Sequence, residues 1–318
     1  MSNFMRRDDS YNNRLSSFLA KNGELKVSSI KPIKKNVYQI NTLKDKWLIL
    51  KIHRNREVVE QQWQFFDNIR DPLIASFQKF PNGNKLLSDR GVHCTITPFI
   101  RGTKLNYKNE ADRIEVVNTI QRFHKKATTI YVSKPIKKDL FYRRWYKRLL
   151  LFMKTEHIFH EYGYIHLYED IVQTTKIYLQ LIARFSWENY QSQAEKNGTW
   201  IHGDVASHNF IKSEHVYMID FDLLSQTSQL YDFIQLGQRF LPYLDWNLDA
   251  LLSYQMVSGK EVKRWLVAIA VPSDFLREWL HFLHNQPSSS FQHYLSKLDA
   301  EWSKRQIFLK KLKLVLKS

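Results

Sequence analysis

The sequence predicts an α+β chain in two lobes, a small one of mixed strands and helix followed by a large, mainly helical one. Three observations carry this. Apolar, β-branched runs of strand length lie in the first hundred residues. Apolar residues then recur at helical spacing through most of the remainder. A Pro/Gly-marked stretch near residues 97–103 separates the two patterns. The predicted domains are therefore 1–98 and 99–318.

"NVYQI" and "KWLILKI" read as two strands, and the polar "NTLKD" between them makes a hairpin. "REVVEQQWQFFDNIR" follows as a helix, with Val59, Trp63 and Phe66 at helical spacing, stopped by Asp71-Pro72. "HCTITPFI" is a further strand, broken by Pro98 and ending at Arg101-Gly102. "EADRIEVVNTIQRFHKKA" then opens the helical lobe, which continues from about residue 140 to 195. Helical spacing resumes over 229–285 and 291–316, with "NQPSSS" as the separator. The sequence has no internal repeat and no long low-complexity tract.

With 318 residues, 43% hydrophobic and 14% aromatic, the chain can bury a large core. Its single cysteine, Cys94, excludes an internal disulfide and a Cys-rich metal site, and fits a reducing compartment. "MSNFMRRDDSYNN" has no apolar core of signal-peptide type, and no run approaches the ~18 apolar residues of a spanning helix. The expectation is a cytoplasmic protein with no transmembrane segment. A formal net charge of +17 favours anionic partners: nucleotide, nucleic acid, anionic lipid or an acidic protein.

The chemistry concentrates in "WIHGDVASHNFI" and the nearby "YMIDFD". "NFI" and "VYMI", separated by the polar "KSEH", pair as a short hairpin. Asn209 enters its first strand and Asp220 leaves its second, so the two ends lie side by side. An amide oxygen and a carboxylate are hard ligands suited to Mg²⁺. Asp204, in the preceding loop, is positioned to orient or deprotonate an attacking hydroxyl. The spacing matches the catalytic loop of protein kinases, H-R-D-x-x-x-x-N, with Gly203 in place of arginine. Strand alternation would point Asp220 and Asp222 to opposite faces, so Asp220 is assigned to the metal. In the first lobe "LILKI" puts Lys51 on an apolar strand. The next helix offers Glu57 and Glu60 to hold it; Glu60 is preferred because the helix dipole alone accounts for Glu57. Each residue also has a bland reading: a turn cap for Asp204, an edge lysine for Lys51, a solvated helix acid for Glu60. The combined spacing of Asp204, Asn209 and Asp220 outweighs these.

"HGDVASHNF", "MIDFDLLSQTSQLYDFIQLGQRFLP" and "VPSDFLREWL" carry a family resemblance. From Lys51 to about Asp232 the chain resembles the aminoglycoside-phosphotransferase branch of kinase-like folds. More loosely, and including the C-terminal helices, it resembles spore-coat-associated kinase-like proteins of the CotS/YutH type. The resemblance implies a bilobal, protein-kinase-like fold with ATP and Mg²⁺ between the lobes. It implies Asp204 as catalytic base, Asn209 and Asp220 on the metal, and Lys51 on phosphate with Glu60 behind it. Thr97, Pro98 and Phe99 would line the adenine pocket, and Asp232 would steady the catalytic loop. The spore coat and its proteins become a location and partners. One departure is the turn expected over the phosphates, "KPIKKNVYQI", which contains no glycine. Glycines let backbone N–H groups approach phosphate closely; here only Lys34 and Lys35 offer charge.

"KPIKKDLFYRRWYKRLL" sets seven basic residues against Asp139 and interleaves them with aromatics. It reads as a basic dock for an acidic acceptor, as a nucleic-acid surface, or as a solvated helix face over core aromatics. The histidines match no helix-face metal pair such as H-E-x-x-H. The basic, amphipathic tail "KRQIFLKKLKLVLKS" reads as a helix packed on the large lobe. The leading expectation is an ATP- and Mg²⁺-dependent phosphotransferase whose small-molecule or protein acceptor the sequence does not name. Behind it stand a catalytically weak coat-assembly protein and, less favoured, a basic nucleic-acid-binding protein.

Overall fold

The computed structural model describes residues 2–285 and 290–317. Four of the six residues of the expected "NQPSSS" separator, 286–289, lie outside the described ones. In chain order the elements are α1 (Ser2–Gly23), β1 (Val27–Lys34), β2 (Val37–Thr42), β3 (Trp47–His53), α2 (Arg56–Asn68), β4 (Leu87–Asp89), β5 (Val92–Pro98) and β6 (Thr103–Lys104). Next come α3 (Glu110–Lys126), α4 (Phe141–Met153), α5 (Glu156–Glu161), α6 (Ile165–Ala183), α7 (Trp187–Asn197), β7 (Trp200–Ile201), β8 (Phe210–Lys212) and β9 (Val216–Met218). The chain ends with β10 (Ser225–Gln226), α8 (Leu230–Phe240), α9 (Leu248–Leu252), α10 (Glu261–Ala270), α11 (Ser273–Asn285) and α12 (Phe291–Lys317). Two compact units result: Met1–Leu105 with Ile130–Ile136 and His208–Leu224, and Asn106–Thr129 with Lys137–Ser207 and Ser225–Ser318.

In the first unit an antiparallel sheet runs in the order β1-β2-β3-β5-β4. The expected β2–β3 hairpin, α2 and β5 are all present. Leu15 and Leu19 of α1 pack with Ile40, Leu48, Leu50 and Ile96 of the sheet in one buried cluster. Neither α1 nor β1 was expected. Both are polar over much of their length, and β1 is an edge strand exposed at most positions. Lys34 of β1 pairs with Val37 of β2, which leaves Lys35-Asn36 as a two-residue turn with Asn36 at φ 63°. Asn55 caps α2 by accepting from the Val58 N–H at 3.3 Å. Phe66 of α2 packs edge-to-face on Phe77 and Phe221.

The hairpin β8–β9 belongs to the first unit, with Met1–Leu105. There β8 pairs with β6, and Met218 exchanges backbone hydrogen bonds with Leu73 and Ala75. Ladder bonds, not sequence distance, decide its allegiance. Gly102 permits this contact. An added Cβ there would lie 2.3 Å from the Lys212 carbonyl oxygen.

The second unit is mainly helical. Asn109 caps α3 and accepts from Ala111, with Glu110 and Asp112 in the first turn and basic residues in the last. Its core includes Trp187, Trp200, Trp265 and Trp279. The fully buried Arg305 of α12 donates to both oxygens of Asp274 at 2.8 and 3.0 Å and to the Val271 carbonyl. The tail is thus a helix held by its own guanidinium. No described helix is long and apolar enough to cross a membrane.

Candidate functional site

The first unit builds a cation–carboxylate cluster on β3. Leu48 and Leu50 are buried, so period-two alternation turns Lys51 to the other face of the strand. Its Nζ lies 2.6 Å from Asp220 Oδ1 and 2.5 Å from Asp222 Oδ2. The expectation that the two aspartates diverge is therefore corrected. Strand β9 stops at Met218, and Asp220 takes a left-handed backbone at φ 63°, which breaks the alternation. The Ile219 N–H donates to the Asn209 carbonyl at 3.0 Å. The hairpin thus sets Asn209, in the turn just before β8, beside the residue before Asp220.

Asp220 also accepts from Lys34, whose Nζ lies 3.0 Å from Oδ2. Burial pushes the Asp220 carboxyl up, but the Lys51 and Lys34 ammonium groups outweigh it and hold it well below the usual carboxylate range. His53, hydrogen-bonded to Thr95 Oγ1 at 2.8 Å, is held down at about 4 by burial and then by the charge of Lys51. A cavity of about 400 Å³ opens here in the first unit, lined among others by Lys34, Lys35, Lys51, His53, Arg54 and Asp222.

The structure does not pair Lys51 with Glu60. Glu60 is exposed and accepts from Arg56 Nε, one turn back, at 2.7 Å. The buried side of α2 instead presents Gln61 and Gln62, which the sequence reading passed over. Gln62 donates to the Phe221 carbonyl at 2.7 Å and Gln61 to the Leu224 carbonyl at 3.2 Å, pinning the segment that carries Asp220 and Asp222. A signal existed: Gln62 falls between Val59 and Phe66 on the helix's apolar stripe. Thr97 sits in the β5 ladder opposite Ile49. The Phe99 N–H is engaged by the Trp47 carbonyl at 3.3 Å.

Asp204 belongs to the second unit, in a loop held from several sides. The fully buried Asp232 accepts from the His202 N–H through Oδ2 and from the Gly203 N–H through Oδ1, both at 2.9 Å. His124 Nε2 lies 2.9 Å from the same Oδ2. Gln235 donates to the Gly203 carbonyl and Tyr107 to the Val205 carbonyl. Gly203 adopts φ 83°, which accounts for glycine in this position. The Asp204 carboxylate is met by Arg239 of α8, Nη2 to Oδ1 at 2.8 Å. Burial raises the Tyr107 phenol far above its ordinary value.

No protein-family model matches the chain, and no curated protein does. Solved structures do. An aminoglycoside phosphotransferase from Alicyclobacillus acidocaldarius superposes with TM-score 0.72 at 15% identity, over 94% of this chain and 95% of that one. An amicoumacin kinase in complex with AMP-PNP, Ca²⁺ and Ami gives 0.62 at 13% identity, covering 92% and 93%. Choline kinase from Cryptosporidium parvum gives 0.55 at 12% identity, covering 94% and 96%. The chain therefore has a protein-kinase-like α+β fold.

Proposed function

We propose that this protein is a nucleotide-dependent phosphotransferase acting on a hydroxyl group. The observation that carries the reading is Asp220. Strained into a left-handed turn beside Asn209, it receives the cations of Lys51 and Lys34 on its two oxygens. The donors fit Mg²⁺: a carboxylate already serving two cations, next to an amide residue. The cavity fits a polyphosphate in charge and is of ligand size.

Bound Mg²⁺ and ATP would supply the transferable γ-phosphoryl group and neutralise its charge. Asn209 and Asp220 would hold the metal. Lys51, held in reserve on Asp220 and Asp222, would turn to a phosphate oxygen. Asp204, oriented by Arg239, would accept the proton of the acceptor hydroxyl, and Asp232 would keep that loop in shape. Of the connector, the Phe99 ring, tilted 6.4 Å from Trp47, would face the base.

The test is thermal stability against ATP with and without Mg²⁺. At a hundredfold excess over Kd, a ligand specific to the native state adds about 2.7 kcal/mol. A Mg²⁺-dependent rise that Asp220→Ala abolishes is expected. No rise at millimolar ATP would sink the reading.

One feature favours a second reading, a kinase-shaped binding protein of the spore coat: the turn over the cavity is Lys35-Asn36, without glycine. The coat itself rests on sequence resemblance alone. Coat-protein binding unchanged by Asp204→Ala, with no nucleotide effect, would support it.

A further inference from the structure

The basic helix α4 divides into two faces. On its outer side Arg143 pairs with Glu188 at 2.9 Å and Lys147 with Asp139 at 2.5 Å, so these charges are answered locally. On its inner side Arg148 donates to the Ser273 carbonyl at 2.9 Å, and Arg144 lies over the Tyr231 ring at 5.3 Å. Ser273 opens α11, and its hydroxyl meets Gln238 of α8 at 3.2 Å. Next to Gln238 is Arg239, on the Asp204 carboxylate. One turn along α11 is Arg277, which pairs with Glu278 at 2.8 Å. Arg148 meets Ser273 directly, Arg144 and Arg277 lie near enough to act on its charge, and Arg277 acts likewise on Arg239, so the four guanidiniums neighbour one another. The acids near them are Asp204, Glu278 and Asp274, the last of which also holds Arg305. Arg148 and Arg239 are half-buried, and burial first and the neighbouring Arg277 second lower both.

We infer that Arg144, Arg148, Arg239 and Arg277 form an anion site beside Asp204, and that the acceptor is a small hydroxyl compound carrying a phosphate or carboxylate. This rests on Asp204 being the base of the proposed reaction. A polycationic acceptor would meet repulsion at this corner. A planar guanidinium suits bidentate binding of phosphate or carboxylate, and partial burial strengthens the pair. A nucleic-acid surface is disfavoured because the outward cations of α4 are already paired.

The experiment is calorimetric titration of the full chain with three hydroxyl probes: glycerol 3-phosphate, glycerate and choline. The two anions are expected to bind, the stronger one naming the group, and choline to give no heat. Arg277→Ala should weaken anion binding about tenfold, the loss of one charged hydrogen bond. Lys51→Ala should leave it unchanged. Choline binding without the anions would overturn the inference. So would anion binding lost in Lys51→Ala but kept in Arg277→Ala, which would put the anion in the nucleotide cavity. Oligonucleotide binding abolished by Arg143→Ala with Lys147→Ala, in place of small-anion binding, would also overturn it. The Mg²⁺–ATP shift is measured on the same protein. Anion binding without that shift keeps the anion site but fails the kinase reading, and with it the anion's role as acceptor; the shift without anion binding fails this inference alone.

Discussion

Asp232 answers two backbone N–H groups and His124 from a position with no solvent exposure. Asp232→Ala leaves these donors buried and unmet, so a loss of roughly 3–5 kcal/mol is expected in urea unfolding. Asp232→Asn keeps an acceptor oxygen and should cost clearly less. Equal losses would mean that charge, not hydrogen bonding, holds the loop. His53 makes a pH prediction. Its pKa is about 4 in the fold against 6.5 for the ordinary value, so between those limits the unfolded chain binds the proton more tightly. Its contribution is complete above pH 6.5 and is lost as pH falls toward 4, up to roughly 3 kcal/mol. Denaturation midpoints between pH 7 and 5 should fall less in His53→Asn than in the parent. Parallel curves would refute the assignment.

At the scale of elements, what was legible carried a local period or a local turn. The hairpin β2–β3, helices α2 and α3, and the short hairpin β8–β9 each show apolar spacing that packing then uses. Helix α1 and strand β1 were not legible, because among the described side chains they bury few residues of otherwise polar segments. The site followed the same division. Asn209 and Asp220 could be brought together from hairpin geometry. The shared grip of Asp220 and Asp222 on Lys51 could not, because it depends on one residue's φ of 63°. Likewise α2 was legible, but not that its glutamines hold the segment carrying Asp220 and Asp222 while Glu60 pairs with Arg56. Gly102 tests the join between β6 and β8. A methyl group 2.3 Å from the Lys212 carbonyl oxygen must move backbone, so Gly102→Ala should destabilise by roughly 1–3 kcal/mol. Hydrogen exchange should report it at the Leu105 amide, which donates to Phe210 at 3.0 Å. The cap substitution Asn55→Ala should cost about 1 kcal/mol and leave that amide protected. Unchanged exchange in Gly102→Ala would show that the strands absorb the methyl group.

For the whole molecule the decisive quantity is charge. Basic residues number 48 against 31 acidic ones, a formal excess of +17. Exposed pairs such as Arg143–Glu188 and Lys147–Asp139 each contribute about 0–1 kcal/mol, and salt weakens them. Salt also screens the repulsion among the unmatched cations, which acts over the whole surface and opposes compaction. With so large an excess the second effect should win, so the thermal midpoint should rise between about 20 and 200 mM NaCl. A fall would mean that the pairs outweigh the net charge. Acid sharpens the comparison. Lowering pH toward 5 adds positive charge to an already cationic molecule and so adds to the repulsion, a loss that salt should restore. The His53 contribution arises first from burial, which salt does not screen. At pH 5 the parent should therefore remain below His53→Asn even in 200 mM NaCl, relative to their pH 7 values (about 8 Å Debye screening or less). Full rescue by salt would assign the whole acid loss to surface charge and remove His53 from it.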